Sequence, residues 1–220
     1  MIGKILDLIT TRADKEKKKE STAEDRADLE EELTQILMME KRAPEPDLRS
    51  IGLFSDVSEE KTAEIIHAML YLDELNRLSP KNIKPITFYL STYGGGADDM
   101  FGMYDIMRIV RETTEIHTVG LGKVMSAGVI LLAAGTKGKR QIGRNCRVMI
   151  HSVIAGNHGS IHNLINEMEA VEQIQKMYID CLVAETDLTK KQLKNMLERK
   201  VNVYLSAEEA VEYGIADIII

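Results

Sequence analysis

The chain has 220 residues, 44% of them hydrophobic, which is enough for one domain that buries roughly 70% of its unfolded surface and needs no disulfide or structural metal. A net charge of −7 argues against nucleic acid as the main partner. No apolar run approaches the ~20 residues of a membrane span and no signal-peptide core opens the chain, so a cytoplasmic protein is expected. The two cysteines, Cys146 and Cys181, lie far apart without metal or C-x-x-C spacing, as suits a reducing compartment, and read as small buried hydrophobes.

Residues 1–48 read as a charged N-terminal extension, partly helical or disordered. A short apolar tip, Ile2, Ile5, Leu6, Leu8 and Ile9, precedes the run Lys15-Glu16-Lys17-Lys18-Lys19-Glu20. Ser21 or Thr22, with Glu24 and Asp25 in a first turn, can start a helix through Leu29, Leu33, Ile36 and Leu37, which Pro44 and Pro46 end. From residue 51 onward strands and helices alternate, which predicts an α/β fold. Ile51 to Ser55 is strand-like, and Ser58-Glu59-Glu60 starts a helix with an apolar stripe of Ala63, Ile66, Met69, Leu70 and Leu72 to Leu75. Strand 86–91, helix 97–111, strand 116–121, helix 126–134 and strand 147–152 follow.

Two loops in this alternation carry chemistry. Strand 86–91 runs into Ser91-Thr92-Tyr93-Gly94-Gly95-Gly96, whose glycines let backbone approach a ligand. Asp98 and Asp99 in the next helical turn would repel a phosphate, and no Gly-Lys-Ser/Thr follows; a peptide carbonyl that becomes negative only transiently suits the loop better. The second loop is the small, turn-prone Gly120-Leu121-Gly122 before Ser126, which stands at the start of the apolar helix 126–134. There the backbone N–H groups and the positive end of the helix favour an oxyanion formed by attack of Oγ on a carbonyl. An N-cap serine would read the same way. Twenty-five residues on, the buried strand Arg147-Val148-Met149-Ile150 ends in His151, the side chain best suited to take a serine proton near neutral pH.

The remaining histidines fit a base less well. His67 lies in a helix, His117 in a strand, and His158 and His162 flank a helix start. That last pair has i, i+4 spacing, but Gly159 and Ser160 break the helix that a metal pair requires, so neither metal nor other cofactor is expected. Lys137-Gly138-Lys139-Arg140 reads as a solvated basic turn. The longest helix, Ile161 to about Glu185, carries an apolar stripe longer than one small domain usually covers, so part of it can face another subunit.

These residues resemble the proteolytic subunit of the Clp (caseinolytic) ATP-dependent serine protease. The likeness spans Arg49 to Ile220 and rests on three ordered blocks: Met125-Ser126-Ala127-Gly128 with Leu131 to Arg140, Arg147 to His151, and Leu205-Ser206-Ala207-Glu208-Glu209-Ala210-Val211-Glu212-Tyr213-Gly214. It implies a ClpP/crotonase-like fold of repeated β-β-α units with a long protruding handle helix. It also implies Ser126 as nucleophile, His151 as general base, and the N–H groups of Gly95 and Ala127 as oxyanion donors. The family's third residue, an aspartate, falls on Asn202, which can orient the imidazole but cannot stabilise its cation by charge. Glu198 is the alternative acid. Tyr93 replaces a proline before the glycines, which predicts a less rigid loop. The resemblance further implies a homo-oligomer of two stacked heptameric rings, polypeptide substrates, and a hexameric AAA+ unfoldase docking at positions that include Tyr89 and Ile109. Two other readings stand beside the peptidase: an inactive scaffold subunit, motivated by Asn202, and an acyl-CoA enzyme of the crotonase class, which would need a glutamate pair near the glycine loops.

Overall fold

The longest strand of the chain organises the sheet. The structure, a computed structural model, describes Glu31, Thr34 and residues 47–198 and 202–220. It divides into two units, Met1–Leu48 and Arg49–Ile220. In the first, Glu31 and Thr34 are helical and exposed; the apolar tip and the helix expected through Leu29, Leu33, Ile36 and Leu37 lie outside the described residues.

The second unit runs β1 (Ser50–Leu53), α1 (Glu59–Leu78), β2 (Ile86–Thr92), α2 (Ala97–Val110), β3 (Ile116–Met125), α3 (Ala127–Ala133), β4 (Gln141–Ile142), β5 (Arg147–Ile150), α4 (Ile161–Glu185), α5 (Lys190–Glu198), β6 (Val203–Leu205), α6 (Ala207–Glu212) and β7 (Ile218–Ile219). The sheet order is β1-β2-β3-β4-β7, all parallel, with β5 parallel to the far end of β3 and β6 antiparallel to β5. Parallel neighbours need crossovers, and the helices between the strands supply them.

Strand β3 is longer than its sequence suggests. Gly120-Leu121-Gly122 is not a turn: the strand continues through it to Met125, and Gly122 at φ 65° takes up a register shift. Leu90 pairs with Gly120 but Thr92 with Val124, so β3 carries extra residues there. Beyond the irregularity β3 leaves β4 and pairs Lys123, Val124 and Met125 with β5. This forked strand delivers the residue after Met125, Ser126, beside the end of β5.

The core explains why α3 stays in place. Every residue from Ala127 to Ala133 is buried, and the helix packs on β2, β3 and α2. Each large side chain there contributes roughly 1.5–3 kcal/mol by leaving water. In α1 the buried face is Ile65, Met69 and Leu72 with polar Asp73 and Asn76, whereas Leu70 from the expected stripe is exposed, since it lies one residue and about 100° off that face. Asp73 accepts hydrogen bonds from the hydroxyls of Thr113 and Thr114 and from Arg77, which accounts for a carboxylate in this position.

Arg140 is likewise not part of a solvated turn. It is buried and pairs with Asp217 through Nε and Nη2, at 2.8 and 2.5 Å, while Nη1 donates to the carbonyls of Ala133 and Glu185. Glu185, at the end of α4, accepts from Arg111 at 2.7 and 2.9 Å and from the Tyr104 hydroxyl at 3.0 Å. Burial raises the Glu185 carboxyl, and Arg111 outweighs it, so the net shift is downward. These ion pairs latch the C-terminal end of α4 to α2 and to the chain terminus. Its N-terminal half is different: Ile161, Leu164, Ile165 and Met168 are all exposed, Ile161 by 74%.

Candidate active site

Ser126 is the one residue other than glycine, among those described, with positive φ. At φ 53°, ψ −121° it sits outside the regions open to an L-residue without strain, at a cost of about 1–3 kcal/mol. The surroundings hold it there. Its N–H donates to the Met149 carbonyl at 2.8 Å, and its carbonyl accepts from Val129 N–H at 3.0 Å and from the Tyr178 hydroxyl at 3.2 Å. Although it precedes α3, its side chain makes no capping bond, so the N-cap reading does not account for the serine.

The glycine loop lies directly over this residue. A Cβ on Gly94, which has φ 104°, would stand 2.6 Å from the Ser126 Cβ and 3.1 Å from the Ala127 nitrogen, so only glycine allows that approach. Gly94 and Gly96 are pinned from the other side by Val57, whose N–H donates to Gly94 O at 2.7 Å and whose carbonyl accepts from Gly96 N–H at 2.9 Å. A Cβ on Gly95 would collide with the Val57 carbonyl. Thr92 Oγ1 accepts from Gly94 N–H at 3.0 Å. Lys123 lies 4.5 Å from the centre of the Tyr93 ring. These contacts tie the glycine loop to its neighbours.

Ser126, Ala127, Gly95 and His151 line one cleft of about 460 Å³, together with apolar Met100, Ile154 and Ile174. His151 follows the last residue of β5, and its Nδ1 lies 2.6 Å from the carbonyl oxygen of Ser152. A carbonyl can only accept, so Nδ1 carries the proton in this contact, and in the neutral ring Nε2 keeps a free lone pair. No hydrogen bond joins Ser126 Oγ to His151 among the described residues. Neither Asn202 nor Glu198 bonds to the imidazole. The β5–β6 pairing ends with Ile150 against Val203, and His151 and Asn202 are the next residue along each chain. Asn202 is exposed, and Glu198 is exposed in the last turn of α5.

The other expected positions separate. Ile109, 50% exposed on α2, lines a shallow hollow with Asp105, Arg108, Arg111 and Glu112, while Tyr89 is half-buried on β2 and does not line it. His158 precedes α4 and His162 is its second residue, and no group of three or more His, Cys, Asp or Glu side chains converges among the described residues. No described helix is long and apolar enough to cross a membrane. Burial pushes the thiols of Cys146 and Cys181 up to about 11, so both are protonated near neutral pH; Cys146 is buried as expected, and Cys181 is half-buried. Val57 and Tyr178 both touch the site and neither stands out in the sequence. Val57 has no local signal, whereas Tyr178 is the one hydroxyl in an otherwise apolar stripe on α4.

A mostly parallel α/β sheet that ends in a strained serine, with an imidazole in the same cleft, is an arrangement suited to nucleophilic chemistry by a serine. Comparison with known proteins narrows this. The family model described as Clp protease matches residues 25–220, a match that begins inside the segment set apart as an extension. Among curated relatives, the ATP-dependent Clp protease proteolytic subunit 2 of Corynebacterium jeikeium is 34% identical over 170 residues, 77% of each chain. Subunit 1 of Prochlorococcus marinus subsp. pastoris is 32% identical over 172 residues, 78% of this chain and 83% of the relative. The corresponding subunit of Deinococcus radiodurans is 32% identical over 172 residues, 78% of this chain and 80% of its own. The chain belongs to the Clp protease family. It is a proteolytic subunit of the serine-peptidase type.

Proposed function

We propose that this subunit hydrolyses unfolded polypeptides to short peptides, with Ser126 as nucleophile, His151 as general base and the N–H groups of Gly95 and Ala127 as oxyanion donors. The observation that carries this reading is the uncapped, strained Ser126 in a cleft shared with His151. Proton transfer from Oγ to Nε2 would follow once the ring is brought within hydrogen-bond reach, with Nδ1 holding its proton against Ser152 O. The tetrahedral oxygen would then point toward Gly95 and Ala127. Asn202, next to the end of the β5–β6 pairing as His151 is, would orient the imidazolium without neutralising it.

The relatives are named as subunits of ATP-dependent proteases, and this chain carries no phosphate-binding loop of its own, so ATP would be spent by a partner ATPase. We place that hexameric unfoldase on the face that presents Ile109, with Tyr89 as a second candidate contact. The exposed apolar half of α4 fits packing of ring on ring in a barrel of two heptamers, in the cytoplasm. Residues 1–48 are read as an extension to the peptidase domain at 49–220. Sedimentation of the purified protein, with hydrolysis of an unfolded protein and of a short fluorogenic peptide beside Ser126→Ala, tests the reading. Cleavage by assembled wild type and none by the variant is the expected result.

One observation favours a second reading, a weak or inactive scaffold subunit of a mixed ring. Among the described residues the only hydrogen-bond partner of the His151 ring is a carbonyl, and the position of the third residue holds an exposed asparagine rather than a carboxylate. Assembled rings without cleavage would select that reading.

A further inference from the structure

Helix α4 reaches the cleft through Tyr178. The phenol is buried, burial raises its pKa so that it stays protonated, and its hydroxyl donates to the Ser126 carbonyl at 3.2 Å, 52 residues away in sequence. Three residues earlier on the same face, Gln175 Oε1 accepts from Val153 N–H at 2.7 Å, in the segment that follows His151. One face of α4 thus touches both walls of the cleft.

The carbonyl that Tyr178 holds is half of a peptide unit whose other half is the Ala127 N–H. That unit is planar and trans, so its C=O and N–H point in opposite directions and turn together. Fixing the oxygen therefore fixes the direction of the N–H. The unit needs fixing, because Ser126 is held in a strained conformation and Gly94 opposite it has φ 104°. Val129 N–H also donates to the Ser126 carbonyl, but it comes from the first turn of α3 and moves with that helix, whereas Tyr178 comes from a separate element latched at its far end by Glu185.

We propose that Tyr178 is a positioning residue: its hydroxyl sets the Ser126–Ala127 peptide plane and thereby aims the Ala127 N–H at the transition-state oxygen. The proposal rests on the reading of Ser126 as nucleophile. Tyr178 touches neither substrate nor reacting atoms in this role. Its contribution appears only when the carbonyl of the substrate becomes an oxyanion, so it belongs to kcat and not to KM.

The test is Tyr178→Phe, which keeps the ring and its packing, with Tyr178→Met as a second apolar variant, each assayed as assembled protein. Peptide hydrolysis gives kcat and KM, a peptide boronate gives transition-state affinity, and a non-cleavable peptide of the same sequence gives ground-state affinity. Both variants are expected to lose about five- to tenfold in kcat and in boronate affinity, the size of one modest hydrogen bond, with KM and ground-state affinity within twofold of wild type. Unchanged kcat and boronate affinity in Tyr178→Phe would overturn the proposal while leaving Ser126 as nucleophile. An equal loss in ground-state affinity would also overturn it, because that marks general loosening of the cleft. Wild type that neither cleaves peptide nor binds boronate would overturn the nucleophile reading, and this proposal with it.

Discussion

The two sides of the cleft are built differently. On the nucleophile side, Ser126 joins the forked strand β3 to a fully buried helix, under a glycine loop pinned by Val57, with backbone bonds to β5 and α3 and a side-chain bond from α4. On the side of the proposed base, His151 lies just past the end of a four-residue strand and leans on the carbonyl of the next residue, while Asn202 is exposed just before a three-residue strand. Geometry that needs strain is stored where the core can pay for it, while the side chain proposed to carry the proton has few restraints. With the proposed roles, the site would be preorganised for the oxyanion more than for the proton.

This contrast can be broken from either side. The largest effect is expected from Ser126→Ala, which should lower peptide hydrolysis by at least ~10⁴-fold with assembly intact; residual cleavage near the wild-type rate would remove Ser126 from the mechanism. Next is Gly94→Ala. The new methyl would press on the Ser126 Cβ in a backbone conformation that disfavours any side chain, so a loss of roughly 2–3 kcal/mol in stability and about 10²-fold in kcat is expected. Denaturant unfolding and steady-state kinetics on the same preparation check it. A tolerated alanine would mean that the glycine loop is looser than the Val57 contacts indicate.

On the base side, Asn202→Asp should raise kcat by about tenfold or more, because a carboxylate at that position would stabilise the imidazolium that an amide cannot. No gain in assembled protein would take Asn202 out of the site, and a loss of activity in Glu198→Gln would then point to the alternative acid. The smallest effect on activity is expected at the Glu185 and Asp217 ion pairs, which act on stability. Glu185 and Asp217 both ionise more readily in the folded chain than unfolded: burial opposes this in each, and Arg111 and Arg140 outweigh it. Their contribution is therefore complete above the ordinary carboxylate range and is lost as pH falls below about 4 toward their lowered values. Glu185→Gln should cost roughly 3 kcal/mol at pH 7 and flatten the acid limb of the stability curve. An acid limb as steep as wild type would mean that other carboxylates carry it.

How much of this is legible in the sequence follows the same division. The alternation of strands and helices, the span of α4 and the placement of Ser126 and His151 at element ends come from apolar periodicity, which tertiary packing reinforces here. Gly120-Leu121-Gly122 looks like a turn because glycines usually punctuate, but a parallel neighbour on each half of β3 keeps the strand extended and turns the glycine into a bulge. Arg140 looks solvated because its partner Asp217 is 77 residues away, and Leu70 looks buried because one residue of helical phase is hard to fix from composition alone. The Val57 bridge carries no local signal, and the Tyr178 bond leaves only one hydroxyl in an apolar stripe to mark it. They exist only because distant elements meet.

The most direct measurement is reaction of the assembled protein with a fluorophosphonate, read by intact mass and peptide mapping beside Ser126→Ala. Such a probe reports a serine whose oxygen is activated and whose oxyanion is received, whatever the substrate. A single adduct on the peptide carrying Ser126, absent from the variant, is the expected result. Assembled protein that stays unmodified, or carries its adduct on another serine, would contradict Ser126 as the nucleophile.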